Sequence, residues 1–448
     1  MGQGSEVRRV SSWAVKPHCV TEESQKPCYL TPWDLAMLSV NYIQKGLLFT
    51  KPPDVDMQTI IEHLKDSLSR ALTHFFPLSG RLVTKKGADP PSYHVVIDCT
   101  DAPGAEFIHA VADLTVADIT SAADVPPFVE SFFAFNGVVN HDGHTLPLLA
   151  VQVTELLDGY FVGCSINHSV ADGTSFWHFF NTWSEISARK EGNDECISRP
   201  PITKRWFMDN QGPSINLPFS HHDEFIERYT PPLLRERMFH FSAKSIAQLK
   251  ARANSEQNTN KISSFQALSA FVWKSITQAR LLPADQNTSC RLAIDNRSRL
   301  HPPLCKNYFG NCIQTVKGTT TAGELLANNL GWSAWLLNQA ISAHDNNKVC
   351  VFLEEWVNAP LIYQFGRFFD VDSLMMGSSP KFDMYNNFGW GKPVAARSGY
   401  GAKFDGKVSS YPGCEGGGSV DVEVCLPPKS MDALLSNEEF MDAVSVPQ

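Results

Sequence analysis

Ser165-Ile166-Asn167-His168-Ser169-Val170-Ala171-Asp172-Gly173 sets a polar cluster between two apolar runs. Before it, Phe161-Val162-Gly163-Cys164 has the character of a short buried strand. After it, Phe176, Trp177, Phe179, Phe180 and Trp183 recur at helical spacing. The reading predicts strand, turn and helix in succession, with His168 in the turn. An imidazole there can have its body packed and one nitrogen open to a cleft, as a general base working near neutral pH requires. Asp172, four residues on, can carry charge without being the proton acceptor.

Spacing alone does not single out this histidine, because His94 with Asp98 and His109 with Asp113 repeat it. Tyr93 to Asp98 alternates like a strand, which puts His94 and Asp98 on one sheet face as surface or edge residues. His109 lies in the mixed segment Phe107 to Asp113 and reads the same way. Only the third pair is preceded by asparagine, followed by glycine and flanked by apolar elements on both sides.

At 448 residues the chain exceeds what one core usually supports, and two domains of about 200 residues are expected. Hydrophobic content of 43% and charged content of 19% are those of a globular protein, which excludes disordered and fibrous classes. A formal net charge of -9 argues against a nucleic-acid-binding surface. It leaves room for a local basic patch facing an anionic ligand, and Lys381, Lys392, Arg397, Lys403 and Lys407 crowd one part of the C-terminal half. No apolar run has the length of a membrane span, and no signal-peptide core is present, so a cytoplasmic location is expected. The 11 cysteines include no Cys-x-x-Cys pair and read as reduced core thiols rather than a disulfide frame or zinc site.

Along the chain, residues 1 to 28 are polar and are expected to be loosely ordered. Asn41, Tyr42 and Gln44 are polar groups inside an apolar run and need partners or a pocket. Ile60 to Thr73 has the periodicity of an amphipathic helix. Phe75 to Leu82 turns into a strand at Tyr93 to Ile97, and Leu146 to Val153 with Gly159 to Ile166 reads as a hairpin. The proline-rich, aperiodic stretch 191–232 is the interdomain linker, between domains at 1–190 and 233–448. Strands at Phe239 to Ser242 and Ser289 to Ile294 and helices at Ala243 to Ala253, Ser263 to Thr277 and Thr321 to Ser342 follow, then a strand pair around Gly401 to Lys407. That last stretch has P-loop spacing, but Val408 stands where Ser or Thr must reach magnesium. Gly163 to Asn167 lacks the closing glycine of a hydrolase nucleophile elbow.

Several stretches together resemble the plant BAHD acyl-CoA-dependent acyltransferases, over about Tyr29 to Met441. His168 to Asp172 matches their HxxxD motif. Asn387-Phe388-Gly389-Trp390-Gly391 matches their DFGWG motif except at its first residue. Leu72 to Leu82, Ser264 to Lys274, Asp295 to Arg299 and Tyr308-Phe309-Gly310-Asn311 look like the remaining signatures, in order.

The resemblance implies a two-domain α/β fold like chloramphenicol acetyltransferase, with mixed sheets, helices and an active-site channel between the domains. It implies that His168 takes the proton of an acceptor hydroxyl or amine, while Asp172 pairs structurally with Arg297. It places Lys261, Ser263 and Ser264 at coenzyme A, and Asn41, Tyr42, Ser378 and Ser379 on the acceptor or oxyanion side. Acyl-CoA is the co-substrate, a small molecule the acceptor; no metal or permanently bound cofactor is implied, and a monomer is expected. Two other readings use the same residues: a CoA-independent lyase or elimination run by His168, and a non-catalytic binding protein that kept the fold.

Overall fold

The computed structural model describes residues 6–52, 55–189, 197–209, 212–368, 370, 372–401 and 403–445. Two six-stranded mixed sheets carry the architecture. The first runs in the order Arg8–Val15, Ala105–Val111, Leu149–Glu155, Gly159–Ile166, Ile43–Thr50, Ala395–Ser398. The second runs Ile313–Thr321, Asn287–Asp295, Leu374–Gly377, Lys407–Pro412, Val420–Leu426, Arg235–Phe241. A small third sheet joins Cys28–Tyr29, Pro91–Asp98 and Arg81–Ala88.

Every residue of Gly159–Ile166 is buried, because this strand is inside the sheet and covered on both faces. That is why it reads as a continuous apolar run rather than an alternating one. The predicted hairpin is present: Leu149–Glu155 pairs antiparallel with it, from Leu149↔Ile166 to Glu155↔Tyr160. The helix Gly173–Ala188 begins where the turn ends and packs on the amphipathic helix Met57–His74; the Trp183 indole donates to Ser67 Oγ at 3.1 Å across that contact. Phe179, Trp183, Leu64, Leu68, Val151 and Val162 share the core of this half. In the second half the helix Ser264–Arg280 supplies Leu268 and Trp273 to a core with Cys290 and Val424.

The structure departs from expectation in several places. Arg8–Val15 is not loose but an edge strand, paired with Ala105–Val111. An edge strand has one covered face, so Arg9, Ser12 and Ala14, which a bulge at Val10 puts on one side, meet solvent, while Trp13 on the other packs on Phe107 at 6.2 Å under the Lys65 ammonium. Residues 1–5 lie outside the described residues. Arg81–Ala88 is an additional strand, hairpinned to Pro91–Asp98. The helical stretch 321–342 breaks into Ala322–Ala327 and Leu330–Ser342, because Asn329 caps the second helix by accepting from Trp332 N. A further helix, Asn346–Asn358, follows. Around residues 401–407 there is one strand, Lys407–Pro412, reached through turns, and residue 402 lies outside the described residues.

The stretch 191–232 is a packed strap where it is described; residues 191–196, 210 and 211 lie outside the described residues. Ile202 bridges to Tyr308 and Leu217 to Tyr93, and Arg205, Leu217 and Phe225 are buried. Isolated anchors of this kind leave no periodicity to read. Ala395–Ser398 lies far along the C-terminal half yet pairs with Ile43–Thr50, completing the first sheet. Among the described residues no helix is long and apolar enough to cross a membrane.

Candidate active site

Asn167 to Ala171 form the turn between the central strand and its helix, and Asp172 ends the turn as helix N-cap, accepting from Ser175 N at 2.9 Å. Two asparagines fix the backbone of His168. Asn140 Oδ1 accepts from His168 N at 2.7 Å, and Asn311 Nδ2 donates to His168 O at 2.7 Å. Asn140 is itself held, its Nδ2 donating to Met37 O and its O accepting from Asn167 Nδ2. Burial pulls the imidazole below its ordinary pKa, opposed by its own backbone carbonyl and by the Asp172 charge. The ring is therefore neutral at physiological pH and ready to accept a proton.

Asp172 does not bond the imidazole. Its Oδ2 accepts from Arg297 Nη1 at 2.8 Å and from Cys312 N at 3.0 Å; its Oδ1 accepts from Arg297 Nη2 at 3.1 Å. Aspartate and arginine are both buried, and the pair is bidentate. Burial alone would raise the carboxyl pKa; the Arg297 charge and the bonds outweigh it and hold the group below the ordinary carboxylate range. Arg297 also donates to Ser175 Oγ and Gly310 O. The expected Asp172–Arg297 partnership is thus present, joining the first half of the chain to the second.

A second buried ion pair, which sequence reasoning missed, stands beside it. Arg205 Nε lies 3.1 Å from Asp34 Oδ2, and Arg205 Nη2 donates to Val170 O at 2.8 Å. Asp34 Oδ1 accepts from Asn311 N and Nδ2 at 3.0 and 2.8 Å. Asn311 therefore links this pair to the carbonyl of His168. One local signal was available: Thr31-Pro32-Trp33-Asp34 is a capping box with proline at the first helical position. That signal predicts a helix start, not the partner 171 residues away.

The other candidates divide. Asn41 and Tyr42 directly precede the strand Ile43–Thr50, whose first residue pairs with Ile166, beside the His168 turn. Asn41 Nδ2 donates to Val138 O, and the Tyr42 hydroxyl to Pro147 O. Ser378 and Ser379 follow Leu374–Gly377, and the same loop brings Phe382 onto Gly173, where a Cβ would meet its ring at 3.3 Å. Ser379 Oγ accepts from Lys381 N. Lys261, Ser263 and Ser264 lie at the start of Ser264–Arg280, with Ser263 and Gln266 forming its capping box. No hydrogen bond or ion pair among the described residues joins them to His168. His94 is occupied by Ile215 O and His109 faces Glu155, so neither shares the His168 environment.

Asn387 to Gly391 sits at the far end of the helix that His168 precedes. Phe388 packs edge-on against Trp183 at 4.8 Å, and Ser187 Oγ donates to Phe388 O at 2.8 Å. Ser187 is separated from Gly173 by about 21 Å of helix at 1.5 Å per residue. Gly389 and Gly391 have φ of 112° and 113°, which glycine adopts without strain. Asn387 Oδ1 accepts from both of their amides, at 2.8 and 3.0 Å. The motif is a brace that clamps a turn onto the helix.

A family profile described as the Transferase family matches residues 6–441. The chain belongs to this family, that of the BAHD acyltransferases. Among its relatives, an uncharacterized acetyltransferase of Arabidopsis thaliana is 39% identical, covering 98% of this chain and 99% of that protein. The BAHD acyltransferase DCR of Arabidopsis thaliana is 35% identical, covering 93% and 89%. Shikimate O-hydroxycinnamoyltransferase of Nicotiana tabacum is 29% identical, covering 82% and 85%. Vinorine synthase superposes with a TM-score of 0.74 at 21% identity, covering 98% of this chain and 99% of that one. F. sporotrichioides TRI101, crystallised with coenzyme A and T-2, also reaches 0.74, at 19% identity, covering 94% and 99%. At these identities the likeness concerns the fold, which is the two-domain, chloramphenicol-acetyltransferase-like arrangement expected of a BAHD protein. As a family member the protein is an acyltransferase enzyme.

Proposed function

We propose that this BAHD protein transfers an acyl group, acetyl, hydroxycinnamoyl or similar, from acyl-CoA to the hydroxyl or amine of a plant specialised metabolite, with His168 as general base. The carrying observation is a histidine whose backbone is pinned on both sides by Asn140 and Asn311, while the neighbouring aspartate is fully engaged with Arg297; burial, which lowers the imidazole pKa, favours the neutral base. The acceptor proton passes to His168 as the acceptor attacks the thioester carbonyl. The tetrahedral adduct collapses, and the imidazolium returns the proton to the departing thiolate, so coenzyme A leaves as a thiol. Asn41, Tyr42, Ser378 and Ser379 form the acceptor side of this reading, and Lys261, Ser263 and Ser264 the coenzyme A side. Support comes from the relatives' names, which specify acetyl and hydroxycinnamoyl transfer, and from the coenzyme A bound in the TRI101 crystals.

The same proposal takes residues 1–190 and 233–448 as the two domains, with 191–232 as the strap and Ala395–Ser398 reaching back across it. It describes a cytoplasmic monomer with no resident metal or cofactor, which size-exclusion chromatography and metal analysis of the purified protein check. The decisive experiment is a panel of acyl-CoAs against plant alcohols and amines, read as free thiol released. Thiol release that depends on both acceptor and His168 is expected. Its absence across the panel, with coenzyme A failing to raise the melting temperature, would refute the proposal.

A further inference from the structure

Between the two large sheets lies a group of charges that the chemistry above does not use, with Lys403 and Glu423 buried and Lys45, Glu236 and Lys407 half-buried. Lys45, opposite Ser398 in the first sheet, donates to Ser398 Oγ at 2.8 Å and to the Tyr411 hydroxyl at 3.0 Å. Lys403 is paired with Glu236 Oε2 at 2.6 Å and with Glu423 Oε1. The second oxygen of Glu423 accepts from the Tyr411 hydroxyl at 2.8 Å and from Ser398 Oγ at 3.0 Å. Both carboxylates thus bind Lys403 directly. Lys407 is the third ammonium. Among the described residues its Nζ makes no hydrogen bond or ion pair; it lies against Gly377 and 5.9 Å from the centre of the Phe404 ring. Both carboxylates are committed to Lys403, so neither neutralises Lys407. Burial lowers the pKa of Lys45 to about 7 and of Lys407 to about 8, so near neutral pH Lys407 is the more fully charged of the two.

The place of Lys407 matters. A side chain on Gly377 would collide with Lys407 Nζ, so the glycine makes the room that the ammonium occupies. The next residue, Ser378, has φ of 62°, and its Oγ is shut off from solvent without a hydrogen-bond partner. Four residues later Phe382 rests on Gly173, directly after Asp172. Ammonium and orphan hydroxyl therefore stand at the start of the loop that carries Phe382 onto the helix after His168, and the Lys407 charge is among those acting on His168. A hydroxyl shut off from solvent without a partner is costly unless a ligand completes it, and the half-buried Lys407, partly open to solvent and free of protein hydrogen bonds among the described residues, stands beside it.

We propose that Lys407, with Ser378 beside it, binds the carboxylate of a small-molecule substrate and so selects anionic acceptors for the reaction at His168. The inference rests on the proposed acyl transfer for its meaning and on the geometry for its existence. One ammonium and one hydroxyl suit a singly charged carboxylate better than a phosphate dianion, which asks for more donors. Coenzyme A is the other anionic source, and the test separates the two.

The experiment is calorimetric titration of the full chain with benzoate, cinnamate and shikimate, each beside its primary amide, and with coenzyme A. Wild type, Lys407→Met, Lys407→Arg and Ser378→Ala are compared, with circular dichroism confirming that each is folded. At least one carboxylate binds the wild type about tenfold or more tightly than its amide. The preference disappears in Lys407→Met, persists in part in Lys407→Arg and weakens in Ser378→Ala, while coenzyme A affinity stays within about twofold. Equal binding of acid and amide across the wild-type series, an acid preference that survives Lys407→Met, or a loss of affinity confined to coenzyme A each overturns the proposal. Titration needs no turnover, so a failed acyl-transfer panel refutes the assigned reaction and leaves the carboxylate site to be decided by these measurements.

Discussion

Replacing Asp172 with asparagine keeps the shape of the side chain and removes its charge. In the folded protein that carboxylate accepts two bonds from Arg297, one from Ser175 N and one from Cys312 N, with no exposed surface. The substitution leaves Arg297 as a buried cation whose remaining charged partner is Asp295, at 3.1 Å and half open to solvent. Removing one partner of such a pair costs about 3 to 5 kcal/mol. For cooperative units of about 150 to 250 residues this lowers the melting temperature by about 6 to 20 degrees. Arg297→Met alone should do similar damage, and the double variant should be less destabilised than the sum, because neither charge is then left alone. The carboxyl pKa is depressed in the folded state, so its stabilisation is present above the ordinary aspartate range near pH 4 and is lost as pH falls through the folded value. Wild type should therefore lose stability on acidification in a window that Asp172→Asn lacks. Differential scanning calorimetry across pH, beside thiol-release kinetics, is the assay. An unchanged melting temperature with abolished activity would falsify the structural role and make the aspartate a participant in the chemistry.

Other outcomes follow from the same geometry. His168→Ala should lower kcat at least about a hundredfold at an unchanged melting temperature, whereas His94→Ala and His109→Ala should leave turnover near wild type; steady-state kinetics decide it. Because burial lowers the His168 pKa, kcat/KM should hold as pH drops to the usual imidazole range and fall only below it, and a fall beginning well above pH 7 would contradict the assignment. Asn311→Ala removes the side-chain bonds to Asp34 and to the His168 carbonyl and keeps the backbone bond to Asp34; kcat should fall about tenfold with KM little changed, a split that a purely structural lesion does not produce. Asn387→Asp should alter activity less than about threefold, since the side-chain oxygen accepts from two backbone amides and a carboxylate does the same; acyl transfer appearing only in the variant would contradict this.

The strand, turn and helix around His168 were legible because their signals are local: a fully buried strand, a capping aspartate and aromatics at helical spacing. The aspartate's partner and the motif brace were reached through family resemblance, and the structure gives both a physical reason. What stayed hidden are residues whose meaning lies in long-range partners. Asp34 reads as a cap until Arg205 and Asn311 arrive from 171 and 277 positions away. Asn140 is one asparagine in a polar turn until His168 N finds it. The basic patch read between Lys381 and Lys407 mixes two populations. Lys381 and Lys392 are exposed, whereas Lys403 is buried, and nothing local to it announces Glu236 or Glu423. Arg8–Val15 escaped because an edge strand with one wet face has the composition of a loop.

The return of Ala395–Ser398 to the first sheet means that the two halves cannot be parted by cutting the strap. A fragment ending there would expose the edge of Ile43–Thr50, with Leu47, Leu48 and Phe49 on it and every main-chain group that Ala395–Ser398 had occupied left open. An apolar edge of that kind recruits another chain. The N-terminal half expressed alone is therefore a candidate for precipitation, and a peptide spanning 393–400 added in trans is the natural means of keeping it in solution.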